Sequence, residues 1–132
     1  MKKLDFAMAL CVVGTLAGTM ALAGYKYVST LTVDTVNRTA KGSVSDTRAS
    51  ADPGEYIGCR INTTNSGTSI TVYCAAQDAN RVTVWCSTTA PNFVQMASMI
   101  HADSILSFDW DANHTCTAMS VENWSMNAPK QL

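Results

Sequence analysis

Residues 56–88 read YIGCRINTTNSGTSITVYCAAQDANRVTVWCST, and this stretch decides the fold. Polar and apolar residues alternate in three runs, 56–62, 69–76 and 82–88, rich in β-branched and aromatic side chains. That is the period of a strand with one buried face. Ile57, Cys59 and Ile61 point one way in the first run, opposite Tyr56, Gly58, Arg60 and Asn62. In the second, Ile70, Val72, Cys74 and Ala76 oppose Thr71, Tyr73 and Ala75. In the third, Val82, Val84, Cys86 and Thr88 oppose Thr83, Trp85 and Ser87. Successive side chains alternate across a strand, so Cys59, Cys74 and Cys86 share the aliphatic face. Asn65-Ser66-Gly67-Thr68 fits a two-residue hairpin loop and sets Cys59 opposite Cys74. A three-residue loop around Asp78-Ala79-Asn80-Arg81 sets Cys74 opposite Cys86.

Downstream the period changes. Phe93, Met96, Ala97 and Ile100 recur at helical spacing after Pro91, with Asn92 as the expected N-cap. Residues 105–110, ILSFDW, and 115–122, TCTAMSVE, return to alternation and predict two further strands. In the last, Cys116 and Ala118 fall on one side and Met119 and Val121 on the other. Upstream, residues 25–36, YKYVSTLTVDTV, predict an N-terminal strand. Residues 37–53 are polar and small and predict a linker or long loop, so the compact domain is expected to occupy 54–132. The fold class is therefore α+β, mainly β: an antiparallel sheet of about five strands with one short helix packed on it and disulfide staples. A small β-sandwich or barrel is the alternative.

Residues 1–23 predict a signal peptide. Lys2 and Lys3 precede an apolar run from Phe6 that ends in Ala21-Leu22-Ala23. A membrane anchor is the competing reading, but the run is short and rich in Ala, Gly and Thr. The rest of the chain carries seven Lys or Arg against nine Asp or Glu, a formal charge of −2. Scattered, outnumbered basic residues exclude nucleic acid as a partner. No basic amphipathic helix is present to hold a membrane after cleavage.

Beyond Cys11 in the apolar run, four cysteines remain: Cys59, Cys74, Cys86 and Cys116. An even number in a small exported domain reads as two disulfides, placing the protein in an extracellular or periplasmic compartment. Zinc is disfavoured because no C-x-x-C pair occurs. The expected pairing is Cys74–Cys86 with Cys59–Cys116. The other option is Cys59–Cys74 with Cys86–Cys116.

Chemistry-bearing motifs are sparse. Asp109, Asp111 and Asn113 begin like a calcium loop, but His114 and Ser120 stand where that loop needs Gly and Glu, so a β-turn is expected and no metal. His101, His114, Asp103, Asp109 and Asp111, with Ser104 or Ser107, are residue types used in acid/base and nucleophilic catalysis. They lack any motif spacing, so no catalytic residue and no cofactor are assigned. Asn37, Asn62, Asn113 and Asn123 head N-x-[ST] sequons, which matter only in a eukaryotic host, whereas the Met-Lys-Lys start suits a bacterial exported protein. Tyr56, Tyr73 and Trp85 gather on the sheet face away from the cysteines. Such rings can bind sugars or proteins, but the expectation is burial beneath residues 25–36 or a second sheet.

The functional expectation is a secreted or periplasmic non-enzymatic interaction or structural module. Its partner is unspecified: a copy of itself, or an extracellular protein or glycan. Alternatives are a filament or surface-assembly subunit that exchanges residues 25–36, and a small secreted hydrolase or enzyme inhibitor.

Overall fold

The computed structural model describes residues 25–63 and 69–127. The predicted signal peptide and the Asn65–Thr68 turn lie outside the described residues. The chain is mainly β and antiparallel, as the alternation requires, but its strands divide into two sheets. One sheet holds β3 (Tyr56–Thr63), β4 (Ile70–Gln77) and β5 (Thr83–Thr88) in that order. The other has the order β1-β2-β6-β7, with β1 at Thr32–Asp34, β2 at Thr39–Ser43, β6 at Ile105–Trp110 and β7 at Cys116–Glu122. Two short helices, α1 (Val44–Arg48) and α2 (Pro91–Ser98), complete the described residues. Among the described residues no helix is long and apolar enough to cross a membrane.

The registers of the three-stranded sheet match the hairpin expectation: Cys59 lies opposite Cys74, and Cys74 opposite Cys86. Its aliphatic face, with Ile57, Val72, Ala76 and Val84, packs on Ala40, Leu106, Phe108 and Trp110 of the other sheet to form one core. Phe93, Val94 and Ala97 of α2 join that core, with Ile100 just beyond. Asn92 is not the helix N-cap. Ala90 takes that position without a side-chain hydrogen bond, and Pro91, whose missing N–H costs nothing in the first turn, starts the helix.

Residues 37–53 are not a linker. Val36 and Asn37 turn on the Asp34 carboxylate, which accepts both their N–H groups at 2.9 Å. The chain then returns as β2, paired on both sides, to β1 and β6. Composition hid this strand because its inward positions are Ala40 and Gly42. It is buried by close backbone approach rather than by large side chains. A Cβ on Gly42 would lie 2.9 Å from the Leu31 Cα. Ser43 ends the strand and caps α1, its hydroxyl accepting the Asp46 N–H at 3.1 Å. Of residues 25–36 only β1 is strand, and the segment packs on its own chain. Ser29 O accepts the Ser43 N–H at 2.9 Å, the Asp46 carboxylate accepts the Ser29 N–H at 2.9 Å, and Tyr27 N–H donates to Met126 O at 2.7 Å.

The disulfides are Cys59–Cys74, with Cα atoms 4.0 Å apart, and Cys86–Cys116, 5.0 Å apart. This corrects the expected pairing. A central-strand residue meets one neighbour across a wide hydrogen-bonded pair and the other across a narrow pair. The 4.0 Å separation marks Cys59 as the narrow partner of Cys74. That leaves Cys86 for Cys116, which a β-bulge turns inward. Asp109 faces Ala118 but Trp110 faces Cys116, so Thr117 is the extra residue. The bulge reverses side-chain parity and puts Cys116 on the same face as Met119 and Val121, against simple alternation. Two disulfides indicate an oxidising compartment, extracellular or periplasmic.

Two stability outcomes follow from this architecture. Each disulfide closes a loop, of 15 or 30 residues, that chain entropy values at about 3–4 kcal/mol. Only Cys86–Cys116 joins the two sheets, so Cys86→Ala with Cys116→Ala should lower the Tm more than Cys59→Ala with Cys74→Ala. Non-reducing peptide mapping should recover the two bridges named. Separately, Gly42→Ala should destabilise by about 1–3 kcal/mol through overpacking against Leu31, measurable by urea unfolding.

Candidate binding surface

The alternation that buries one face of β3–β5 presents the other outward. Three cross-strand rows stand on that outer face: Tyr56–Gln77–Thr83, Gly58–Ala75–Trp85 and Arg60–Tyr73–Ser87. Contrary to the expectation of burial, no other sheet among the described residues covers them. Tyr56 is 42% exposed and Trp85 37%. Residues 25–36 cannot provide the cover, because β1 is an edge of the other sheet, beside β2.

The rings instead shield one another. Tyr73 and Trp85 stack with centroids 5.7 Å apart, and Trp85 and His114 with centroids 4.2 Å apart at an interplanar angle of 9°. The Arg60 guanidinium carbon lies 4.6 Å from the centre of the Tyr73 ring, on its face. A file of four side chains, Arg60, Tyr73, Trp85 and His114, therefore crosses the sheet. Such contacts contribute about 0.5–1.5 kcal/mol per aromatic pair, and about 0.5–1 kcal/mol for an exposed cation on a ring. Its members shield much of each other's apolar faces and leave edges and polar tips to solvent.

His114 enters the file from the β6–β7 turn, in a left-handed conformation with φ 59°. Its Nδ1 lies 3.1 Å from Trp85 O, a hydrogen bond in the Nδ1-protonated tautomer. Its carbonyl accepts the Ser87 N–H at 2.9 Å, tying the turn to the edge of β5. By sequence His114 is a candidate only for catalysis and for the turn. Nothing in the sequence sets residue 114 beside residue 85; the bulge and the Cys86–Cys116 bridge do so.

Beside the file lies a depression of about 270 Å³, lined by residues 56–60 of β3 and by Tyr73 and Ala75 of β4. Its floor is the facing pair Gly58 and Ala75, and beyond Ala75 stands Trp85.

The other sequence candidates do not converge. Asp109 sits within β6, paired on both sides to Thr39 and Ala118. One Asp111 carboxylate oxygen accepts the N–H groups of Asn113 and Thr115, each at 2.8 Å. The D-x-D-x-N run is thus a β-turn, and no group of three metal-ligating side chains occurs among the described residues. The buried Ser104 hydroxyl donates to the Asn123 amide oxygen at 2.5 Å and accepts the His101 N–H at 2.7 Å, a structural arrangement. Of the sequon asparagines, Asn37 bonds the Asp34 carboxylate at 2.6 Å, and Asn123 also donates to Met99 O at 3.1 Å.

Comparison with protein-family models, curated proteins and solved structures finds no match for this chain.

The turn that holds His114 is pH-sensitive with a defined sign. The Thr115 N–H foremost, and then that of Asn113, hold the Asp111 carboxyl below its usual value of 3.8. Its support of the turn is therefore complete above that value and fades as pH falls through the lower folded value. Amide exchange of Asn113 and Thr115 should accelerate relative to the rest of the sheet in that acid window. Asp111→Asn should remove the pH dependence.

Proposed function

We propose that this chain is an exported, non-enzymatic interaction module whose contact surface is the outer face of β3–β5. The observation that carries the reading is the exposed aromatic file, with its adjoining depression, on a sheet whose other face is packed and stapled. Exposed tyrosine and tryptophan supply large contact area with little side-chain entropy to lose. The two disulfides suit a life outside the cytosol, as does the predicted signal peptide. Cis pairing of β1 with β2 leaves residues 25–36 engaged within the chain, which favours a surface-binding role over assembly by strand exchange.

Two measurements test this reading. Intact mass of the protein from its native host should give an N-terminus at Gly24, and a chain beginning at Met1 would exclude cleavage. Screening the disulfide-intact chain against an array of extracellular glycans and peptides should yield ligands. Tyr56→Ala with Trp85→Ala should weaken their binding by at least about tenfold, the loss expected at an aromatic contact centre. Thermal unfolding checks that the variant remains folded. Undiminished binding by that variant would move the contact surface elsewhere.

A further inference from the structure

Gly58 is the third residue of β3, inside the strand, where glycine weakens it relative to alanine by about 0.5–1 kcal/mol. The reasons internal to a chain for a glycine are absent. Its φ is not in the left-handed region, and a Cβ built on it would meet no atom within 4 Å. What the missing side chain preserves is space outside the chain. A strand glycine marks a bulge, a bend or the close approach of a ligand or another backbone, and the register of β3 with β4 runs through Gly58 without a bulge.

That space is a shallow, open depression. Tyr56 and Arg60 flank Gly58 two residues away on either side of the same face, so their Cα atoms stand about 13 Å apart along the strand. Tyr73 walls it beside Arg60, and Ala75 extends the floor toward Trp85. At about 270 Å³ the depression lies below the range of about 300–1,000 Å³ for drug-sized ligands, which suits one ring-sized unit. The small flat floor admits a saturated ring, and Tyr56 and Tyr73, which line it, carry phenol hydroxyls able to donate.

The charge of the face selects further. The outward positions of β3, β4 and β5 carry one charged side chain, Arg60, on a protein that is negative overall. Arg60 lies over Tyr73 and has no ion-pair partner among the described residues. A planar, permanently charged guanidinium without a carboxylate is complementary to one supplied from outside. A protein partner would need about 800 Å² of contact surface, and here polar Gln77, Thr71 and Ser87 interrupt the apolar area.

We infer that the depression over Gly58 binds one ring of an acidic glycan, the sugar lying over Gly58 and Ala75 with its carboxylate on Arg60. This rests on the outer face of β3–β5 being the contact surface. The test titrates the full disulfide-intact chain with trisaccharides of galacturonate, of glucuronate and of a sialylated sugar. The methyl ester of each, and an acidic hexapeptide, serve as comparisons. Binding is read by calorimetry and by the shift of the Gly58 amide resonance. At least one acidic trisaccharide should bind, and its methyl ester or Arg60→Gln should weaken binding by about tenfold, the loss of one charge-assisted hydrogen bond. Gly58→Leu should abolish it with an unchanged or higher Tm, and Gly58→Thr, with its good strand propensity, should do the same. Equal binding of acid and ester, no effect of Arg60→Gln, or no binding of any acidic trisaccharide would overturn the inference. If the hexapeptide or a neutral ester is instead held in a Gly58-dependent way, the acidic-glycan assignment falls while the contact surface stands. A ligand held equally by the wild-type chain, by Gly58→Leu and by the Tyr56→Ala, Trp85→Ala variant would remove both.

Discussion

The Cys86–Cys116 bridge is the constraint on which the rest of the structure depends. Each sheet is too small to bury a core alone, and each offers one apolar face to the other. The bridge holds the facing strands β5 and β7 with Cα atoms 5.0 Å apart, next to the contact of Ser87 with the β6–β7 turn. It exists only because the bulge at Thr117 rotates Cys116 inward. One irregular residue thus closes the core, and the same turn delivers His114 to Trp85 on the opposite surface. Core closure and surface construction are two consequences of a single local distortion.

Exposed aromatic rings on a sheet present a problem of solubility, which the described residues meet without a covering layer. Stacking places ring against ring, and Arg60 takes a face of Tyr73 with a cation that stays hydrated at its edge. The surface keeps the contact area of Tyr and Trp while limiting the exposed apolar area that drives aggregation. A file held by stacking is also stiffer than separate side chains, which is the property the proposed contact role would use.

Two strand glycines divide the roles of a missing side chain. Gly42 is required from within, because Leu31 crosses it closely enough that any Cβ must displace backbone. Gly58 has open space above it and answers to nothing in the chain. Composition treats the two alike. Only the surroundings separate a packing glycine from one that keeps a surface concave.

Much of the fold was legible in the sequence. Period-two alternation placed β3, β4, β5, β6 and β7 to within a residue or two, and the hairpin arithmetic set the three cysteines in register. It also placed Tyr56, Tyr73 and Trp85 on one outward face, because parity along a strand is local. What failed was non-local or lacked contrast. β2 has no large apolar residue to mark its buried side, so its burial shows only once Leu31 and β6 lie against it. The disulfide pairing turned on which neighbour of Cys74 occupies the narrow pair and on a bulge that reverses parity, and neither is written in residue types. Whether the aromatic face would be covered depended on where the remaining strands paired. The sequence by itself determined which residues share a face. Tertiary structure alone decided which face is covered, which cysteines meet and which residues from distant segments stand beside Trp85, because those depend on how one sheet packs against another.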